Sequence, residues 1–529
     1  MTDGLSFPAQ QARTRRFTLG RPRAFQVSAD GGRVLFLRSP AGDDPVNDLW
    51  CLDVATAELR LVASATDVLD GASDDDLPPE ERARRERARE MAGGIVGYAT
   101  DRAGDVAAFT LSGRLFSVDV VTGEVSEEAA AGDVFDPRPS PDGTRIAYTT
   151  GGGLHVLDRG GASRPLAVED GVTWGLAEFV AAEEMGRMRG FWWSPDGTRI
   201  AATRVDESAV PVWHIADPAN PDRPATEHRY PAAGEANAEV SLAILDLDGD
   251  GRLAVRWDAE RFPYLASVGW GSVGPLTLLV QDRLQTHWQV LAVDEATGAT
   301  KVVCEDHDEA WLFLVPGVPA WLDEDQLVMV LDVEREGRLT RSIVVDGELV
   351  TPTGLDVSRV LDVSEEAIWF TAADGPFDQH VHRFDCTTGE LEQRTDVLGV
   401  HDAVVQGGTV VTVTATVLTD AVSVQVTRDG KPVTGIPSFA ARPVVTPEVT
   451  FLELGPRKLP SALLLPRSGP GAGDDGPLPV VLSPYGGPGP HPRVQRASGY
   501  FLEQQWLADQ GFAVLVVDNR GMPNLGPAA

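Results

Sequence analysis

Between about residue 20 and residue 440 the apolar positions alternate with polar ones in short runs, and Asp-Gly turns separate the runs. SPDGTRIA stands at 140–147 and again at 194–201, an offset of 194 − 140 = 54 residues, and a looser copy, SADGGRVLF, stands at 28–36. A second signature ends other runs: LFSVDVVTGE (115–124), QVLAVDEATGA (289–299) and VHRFDCTTGE (381–390), with LWCLDVATAE (49–58) a degenerate copy. Each predicts a strand closed by an Asp-x-x-Thr-Gly turn, whose glycine supplies the positive φ that such a turn needs. Repeats of about 50 residues that each hold several short strands predict β-propeller blades, because one small sheet cannot bury both its faces and stacks on its neighbours. About 420 residues divided by about 52 gives roughly eight blades, and seven is almost as close on arithmetic alone.

Two stretches break this rhythm. PPEERARRERAREMAGG (78–94) predicts a helix, with proline at its start, glutamate in its first turn and Gly-Gly as its stop. It has no apolar face, so it is expected in solvent or along a polar cavity. After about residue 440 the pattern changes again. Two apolar runs flank a Gly/Pro-rich loop in LPSALLLPRSGPGAGDDGPLPVVLSPYGGPGP (459–490), helical spacing follows in SGYFLEQQWLADQG (498–511), and FAVLVVDNRG (512–521) is apolar on both faces. Strand, helix and buried strand in that order open an α/β domain. The expected organisation is therefore mainly β: an N-terminal arm over 1–20, a β-propeller over 21–440 and an incomplete α/β domain over 441–529.

Composition narrows the function classes. The 529 residues carry a net charge of −34, which repels nucleic acid. No apolar run approaches the roughly 20 residues of a membrane span, and the N-terminus shows no apolar stretch before a small-residue cleavage site. Three widely spaced cysteines (Cys51, Cys304, Cys386) read as reduced thiols, so a cytoplasmic location is expected. DLDGDG (246–251) imitates the start of a calcium loop, but its twelfth position is Trp257 where a bidentate glutamate is needed, so a hairpin turn is expected. His380 and His382 alternate near Asp378 with no third ligand at metal spacing. No metal or cofactor site is expected.

The strongest chemical signal is EFVAAEEMGRMRGFWWSPDG (178–197). On a helical turn Glu183 and Glu184 point about 100° apart, so both carboxylates can reach one ammonium group. Their mutual repulsion is relieved when a cation binds. Trp192 and Trp193 are expected as core and pocket wall.

The segment resembles the propeller motif of the dipeptidyl peptidase IV family, a branch of the prolyl oligopeptidase clan of serine peptidases. RRERAREMAGGIVGYATD (84–101) is similar to the helix ahead of a blade in the family's cytoplasmic branch. VVLSPYGGPGP (480–490) and GFAVLVVDNRG (511–521) are similar to the first strands of its α/β-hydrolase domain. The resemblance implies that Glu183 and Glu184 hold the free N-terminus of a peptide, from which the intact enzyme releases dipeptides with Pro or Ala second. It implies that Tyr485 donates to the oxyanion of the tetrahedral intermediate, and that an arginine of the 84–89 helix (Arg85, Arg87 and Arg89 are candidates) holds a substrate carbonyl. Peptides with free N-termini are the expected partners, nucleic acid and membrane are not, and a homodimer is an expectation for a chain with its hydrolase domain whole.

One part of the pattern does not match. No serine of these 529 residues stands in G-x-S-x-G, and His491, the only histidine of the α/β segment, precedes the place where that serine belongs. The triad is thus absent from this stretch, and the chain alone is expected to be inactive. FAVLVVD is expected to lack strand neighbours and helix cover, leaving 441–529 poorly anchored. A non-catalytic peptide- or protein-binding propeller is the alternative reading, and an oligopeptidase or acylaminoacyl peptidase is disfavoured by the glutamate pair.

Overall fold

The computed structural model describes residues 4–70, 77, 79–87, 89–249, 251–419, 421–473, 476–485, 492–522 and 526–527. Among them, eight antiparallel meanders follow one another along the chain, over 23–63, 98–127, 135–167, 173–255, 264–307, 320–349, 356–393 and 400–435. These are the blades of a β-propeller, and their number is eight. A further four-stranded sheet (450–518) is mixed, a two-stranded ribbon pairs Val212–Ile215 with Thr226–Arg229 between strands of the fourth blade, and five α-helices are present among the described residues: α1 (Phe7–Arg13), α2 (Ala65–Val68), α3 (Pro79–Arg87), α4 (Phe179–Glu184) and α5 (Leu502–Ala508). No helix among the described residues is long and apolar enough to cross a membrane.

The chain forms two compact units. One comprises 66–90 and 95–314 and holds the second to fifth blades. Its core runs through the fourth and fifth blades, where Leu242, Ile244, Leu265, Leu278 and Val280 are almost wholly buried. These are the alternate positions of strands Glu239–Asp246, Tyr264–Gly269 and Thr277–Gln281, as a period of two requires. The 246–251 stretch is a hairpin turn, with Leu245 opposite Arg252, and its Asp250 lies outside the described residues. The arginine-rich helix is shorter than its sequence suggests. It ends at Arg87, and Gly93–Gly94, expected as its stop, forms a parallel strand on Val46–Asp53 in the other unit.

The other unit comprises 1–65, 91–94 and 315–529. It holds the first, sixth, seventh and eighth blades and the mixed sheet. The first and eighth blades share a core of Val34, Phe36, Val411 and Val424. The Thr409 hydroxyl donates to the Gly31 carbonyl (2.7 Å) where the two blades meet.

The mixed sheet departs from expectation. Strand Ala513–Asp518 has neighbours on both sides, Leu459–Leu464 antiparallel and Val480–Tyr485 parallel. Val514 and Val516 are buried with Ala462, Leu464, Phe501 and Ala508, and Phe377 and Val417 from the seventh and eighth blades pack against them. The apolar exposure falls instead on the edge strand, where Val480 and Leu482 are 61% and 66% exposed. The N-terminal arm is also anchored. Phe7 of α1 stacks on Trp506 of α5, and the buried Gln10 side chain donates to Arg442 O (2.8 Å) and accepts from Val444 N–H (2.9 Å).

Candidate active site

The glutamate pair sits on a detour within the fourth blade. The blade's first strand is split into Thr173–Trp174 and Phe191–Trp193, both paired with Arg199–Asp206, and the chain between them leaves the sheet to form α4. The neck of the detour is closed by two glycines. Gly175 has φ +76°, and a Cβ on Gly190 would lie 2.5 Å from the Gly175 carbonyl carbon, so no larger residue fits there. Thr203 fastens both sides: its carbonyl accepts from Gly175 N–H (2.9 Å), its N–H donates to Gly190 O (2.8 Å), and its hydroxyl reaches Leu176 O (2.9 Å).

Helix α4 is six residues long, with Ala181 and Ala182 buried and Glu183 and Glu184 exposed at its C-terminal end. Its last turn carries no basic residue. Two carboxylates at the negative end of a helix repel each other and the helix's own carbonyl end. Glu184 has no partner among the described residues. Gly186, at φ +70°, turns the chain back so that Arg187 N–H reaches Ala181 O (2.9 Å).

Beneath the helix lies a buried ion pair that sequence reasoning missed. The side chains of Glu178 and Arg187 are each 4% exposed, and Nη2 donates to Oε2 at 2.6 Å. Arg187 Nε donates to Leu265 O (2.8 Å) in the fifth blade and Nη1 to Arg189 O (3.0 Å). Glu178 is the residue just ahead of the helix and Arg187 lies just beyond its end. Both stand in the 178–197 segment, and the signal available was an acid and a base flanking a short run of small and apolar residues.

Arg84 and Arg85 of α3 both bond to Glu81 at 2.7 Å, Arg89 is exposed, and the Arg87 side chain lies outside the described residues. The guanidinium of Arg189, four residues past Met185, has no hydrogen-bond or ion-pair partner among the described residues. It lies 5.5 Å from the Trp192 ring centre, and burial, together with neighbouring Arg138, pulls its pKa down to about 10. Trp192 is buried in the core, and half-buried Trp193 packs against it and donates to Arg138 O (3.2 Å).

Tyr485 ends the edge strand of the mixed sheet, opposite Asp518. Its ring lies under the Arg493 guanidinium (4.6 Å), its carbonyl accepts from Asn519 N–H (3.2 Å), and its hydroxyl has no partner among the described residues. Buried Asp518 accepts from the Arg493 and Val494 N–H groups, both at 2.9 Å, which fixes the return of the loop beside the tyrosine. The loop after Tyr485 and His491 lie outside the described residues. His380 and His382 are buried side chains of the seventh blade: His380 meets the Thr395 hydroxyl at 3.0 Å and His382 stacks on Phe370.

These features can be set beside known proteins. A protein named "Probable dipeptidyl peptidase 4" from Aspergillus flavus is 24% identical over 436 residues, covering 74% of this chain and 55% of its own length. Human dipeptidyl peptidase 8 is 31% identical over 147 residues, 24% of this chain and 16% of its own. The crystal structure of Porphyromonas gingivalis dipeptidyl peptidase 4 superposes with a TM-score of 0.75 at 19% identity, over 98% of this chain and 74% of that one, a likeness of fold. The chain thus spans little more than half the length of the Aspergillus relative. The family described as "Dipeptidyl peptidase IV (DPP IV) N-terminal region" matches residues 108–415, from the second blade into the eighth and across the whole detour that bears the glutamate pair. With more than half of its residues inside that match, this chain belongs to the dipeptidyl peptidase IV family.

Proposed function

We propose that the chain is the recognition part of a serine exopeptidase that removes dipeptides from free peptide N-termini, with Pro or Ala second. Glu183 and Glu184 receive the peptide's ammonium group, and Tyr485 donates to the oxyanion in the hydrolytic step. The observation that carries the reading is the exposed acid pair at the end of α4, two adjacent carboxylates on a detour pinned at its neck and beneath its helix. An α-ammonium offers three donors to such a pair, and the Tyr485 hydroxyl, without a partner among the described residues, suits a neutral donor awaiting a developing charge.

Because no serine here stands in G-x-S-x-G, the test reads binding rather than turnover. The chain is titrated into a short peptide with Pro second and a fluorophore at its C-terminal end, its N-terminus free or acetylated. Free peptide is expected to bind at least about tenfold tighter, roughly 1.4 kcal/mol. The preference is expected to fade in Glu183→Gln and Glu184→Gln, and above about pH 8 as the peptide amine loses its proton. Equal affinity for the two peptides would remove the glutamates from this role.

A further inference from the structure

We infer that Arg187, with Glu178 as its counter-ion, is the positioning residue of the amine receptor: the pair sets the direction in which α4 presents Glu183 and Glu184. This rests on the reading just given, and it assigns the receptor's geometry to residues that touch no ligand.

The argument begins with what α4 cannot do for itself. A helix of six residues is too short to be stable on its own. No side chain caps its N-terminus, and its C-terminal residues are two like charges. Only Ala181 and Ala182 bury fully, and they offer little apolar area. The neck formed by Gly175, Gly190 and Thr203 holds the two ends of the detour, its hydrogen bonds reaching Gly175, Leu176 and Gly190 but no residue of the helix, whose half-buried Phe179 meets Tyr230 edge-on (5.1 Å).

Arg187 supplies what is missing. Its side-chain hydrogen bonds run in three directions: to the residue before the helix, to the chain after it, and to the neighbouring blade at Leu265 O. The fork of a guanidinium makes these contacts at once, which the single ammonium of a lysine cannot. A buried ion pair is a poor source of net stability, because desolvation offsets the attraction. Fixing one arrangement among several close alternatives is its best-attested use, and here the arrangement fixed is that of two carboxylates.

The experiment uses the full chain and the two fluorescent peptides. Affinities for the free and the acetylated form are measured for wild type, Arg187→Lys, Arg187→Met and Glu178→Gln, with melting temperature recorded for each. Val280→Ala, a cavity in the buried core of the same unit, serves as a control for loss of stability alone. In the Arg187 and Glu178 variants the ratio of the two affinities is expected to fall about tenfold toward unity, with the acetylated peptide's affinity unchanged. Val280→Ala is expected to keep the wild-type ratio. A folded Arg187→Lys with the wild-type ratio overturns the proposal, and so does a Val280→Ala that loses the ratio to the same extent. If none of the three variants folds, Arg187 is a structural bolt for the whole blade and the positioning role falls. A wild-type ratio of one overturns the amine reading itself, and this is visible before any variant is made.

Discussion

Burial shifts two titrating side chains of the seventh blade with opposite consequences for stability. His382 is 5% exposed, and burial with nearby His380, offset in part by Asp374, pulls its pKa from 6.5 down to about 4. The unfolded chain therefore binds the proton more readily, so the histidine's contribution is whole above about pH 6.5 and is lost as pH falls toward 4. Asp362 behaves in reverse. Burial pushes its carboxyl from 3.8 up to about 6, so its ionisation costs stability above pH 6, and the cost disappears as pH falls below 4. A tenfold difference in proton affinity between the folded and unfolded chain is worth about 1.4 kcal/mol, and partial contact with solvent reduces each effect to roughly 1–2 kcal/mol. Asp362→Asn is expected to raise the urea midpoint at pH 8, with a gain that shrinks toward pH 4. His382→Gln is expected to flatten the loss of stability between pH 7 and pH 5. Midpoints of the two variants that track wild type across this range would show that neither site is desolvated as described.

At the scale of the element, the repeated motifs are repeated turns. In SPDGTRIA the Ser140 hydroxyl donates to Asp142 (2.6 Å) and accepts from Arg145 N–H (3.0 Å), with Gly143 at φ +70°. The copy at Ser194 and Asp196 and the looser one at Ser28 and Asp30 make the same bonds, with Gly197 and Gly31 also at +70°. The Asp-x-x-Thr-Gly turns agree as closely, since Gly123, Gly298 and Gly389 have φ between +69° and +77°. The degenerate copy keeps the conformation without the glycine: exposed Ala57 is held at φ +59°, while Thr56 bonds to Asp53 as in the other turns. A left-handed alanine costs about 1–2 kcal/mol, offset partly by the greater freedom of an unfolded glycine. Ala57→Gly is therefore expected to stabilise the chain by about 1 kcal/mol in urea unfolding, against a loss of similar size for Gly123→Ala. Such turns were legible because each depends on a few residues at fixed spacing. The glutamate pair was legible for the same reason, as two adjacent acids that reach solvent from one short helix. Its support was not, because Arg187 reaches Leu265 across 78 residues and Gly190 matters only through its closeness to Gly175. The ion pairs of α3 follow from spacing alone: Glu81 lies three and four residues before Arg84 and Arg85, and holds both.

At the scale of the molecule, the mixed sheet tests how a strand's neighbours govern its order. Its expected weakness lay in FAVLVVD, yet strand Ala513–Asp518 is central, hydrogen-bonded along both edges and buried at Val514, Val516 and Asp518. The vulnerable strand is Val480–Tyr485, which among the described residues pairs on one side only and turns Val480 and Leu482 to solvent. What fastens the sheet to the seventh and eighth blades is concentrated at Arg496. Its N–H donates to Phe377 O (2.9 Å), its carbonyl accepts from Val417 N–H (3.1 Å), and its guanidinium pairs with Asp378 while lying over the rings of Phe377 and Phe451. Amide exchange should therefore be graded within the sheet, with residues 513–518 protected nearly as well as the blade strands and residues 480–485 opening first. Arg496→Ala removes the ion pair and both ring contacts, leaving Asp378 without its arginine, and is expected to cost about 3 kcal/mol of local stability. That corresponds to more than a hundredfold faster exchange across 513–518, with rates in the first blade unchanged. Equal protection of the two strands in wild type, or an Arg496→Ala chain whose sheet exchanges no faster, would mean that the burial of Phe501 and Ala508 holds the sheet without this tie.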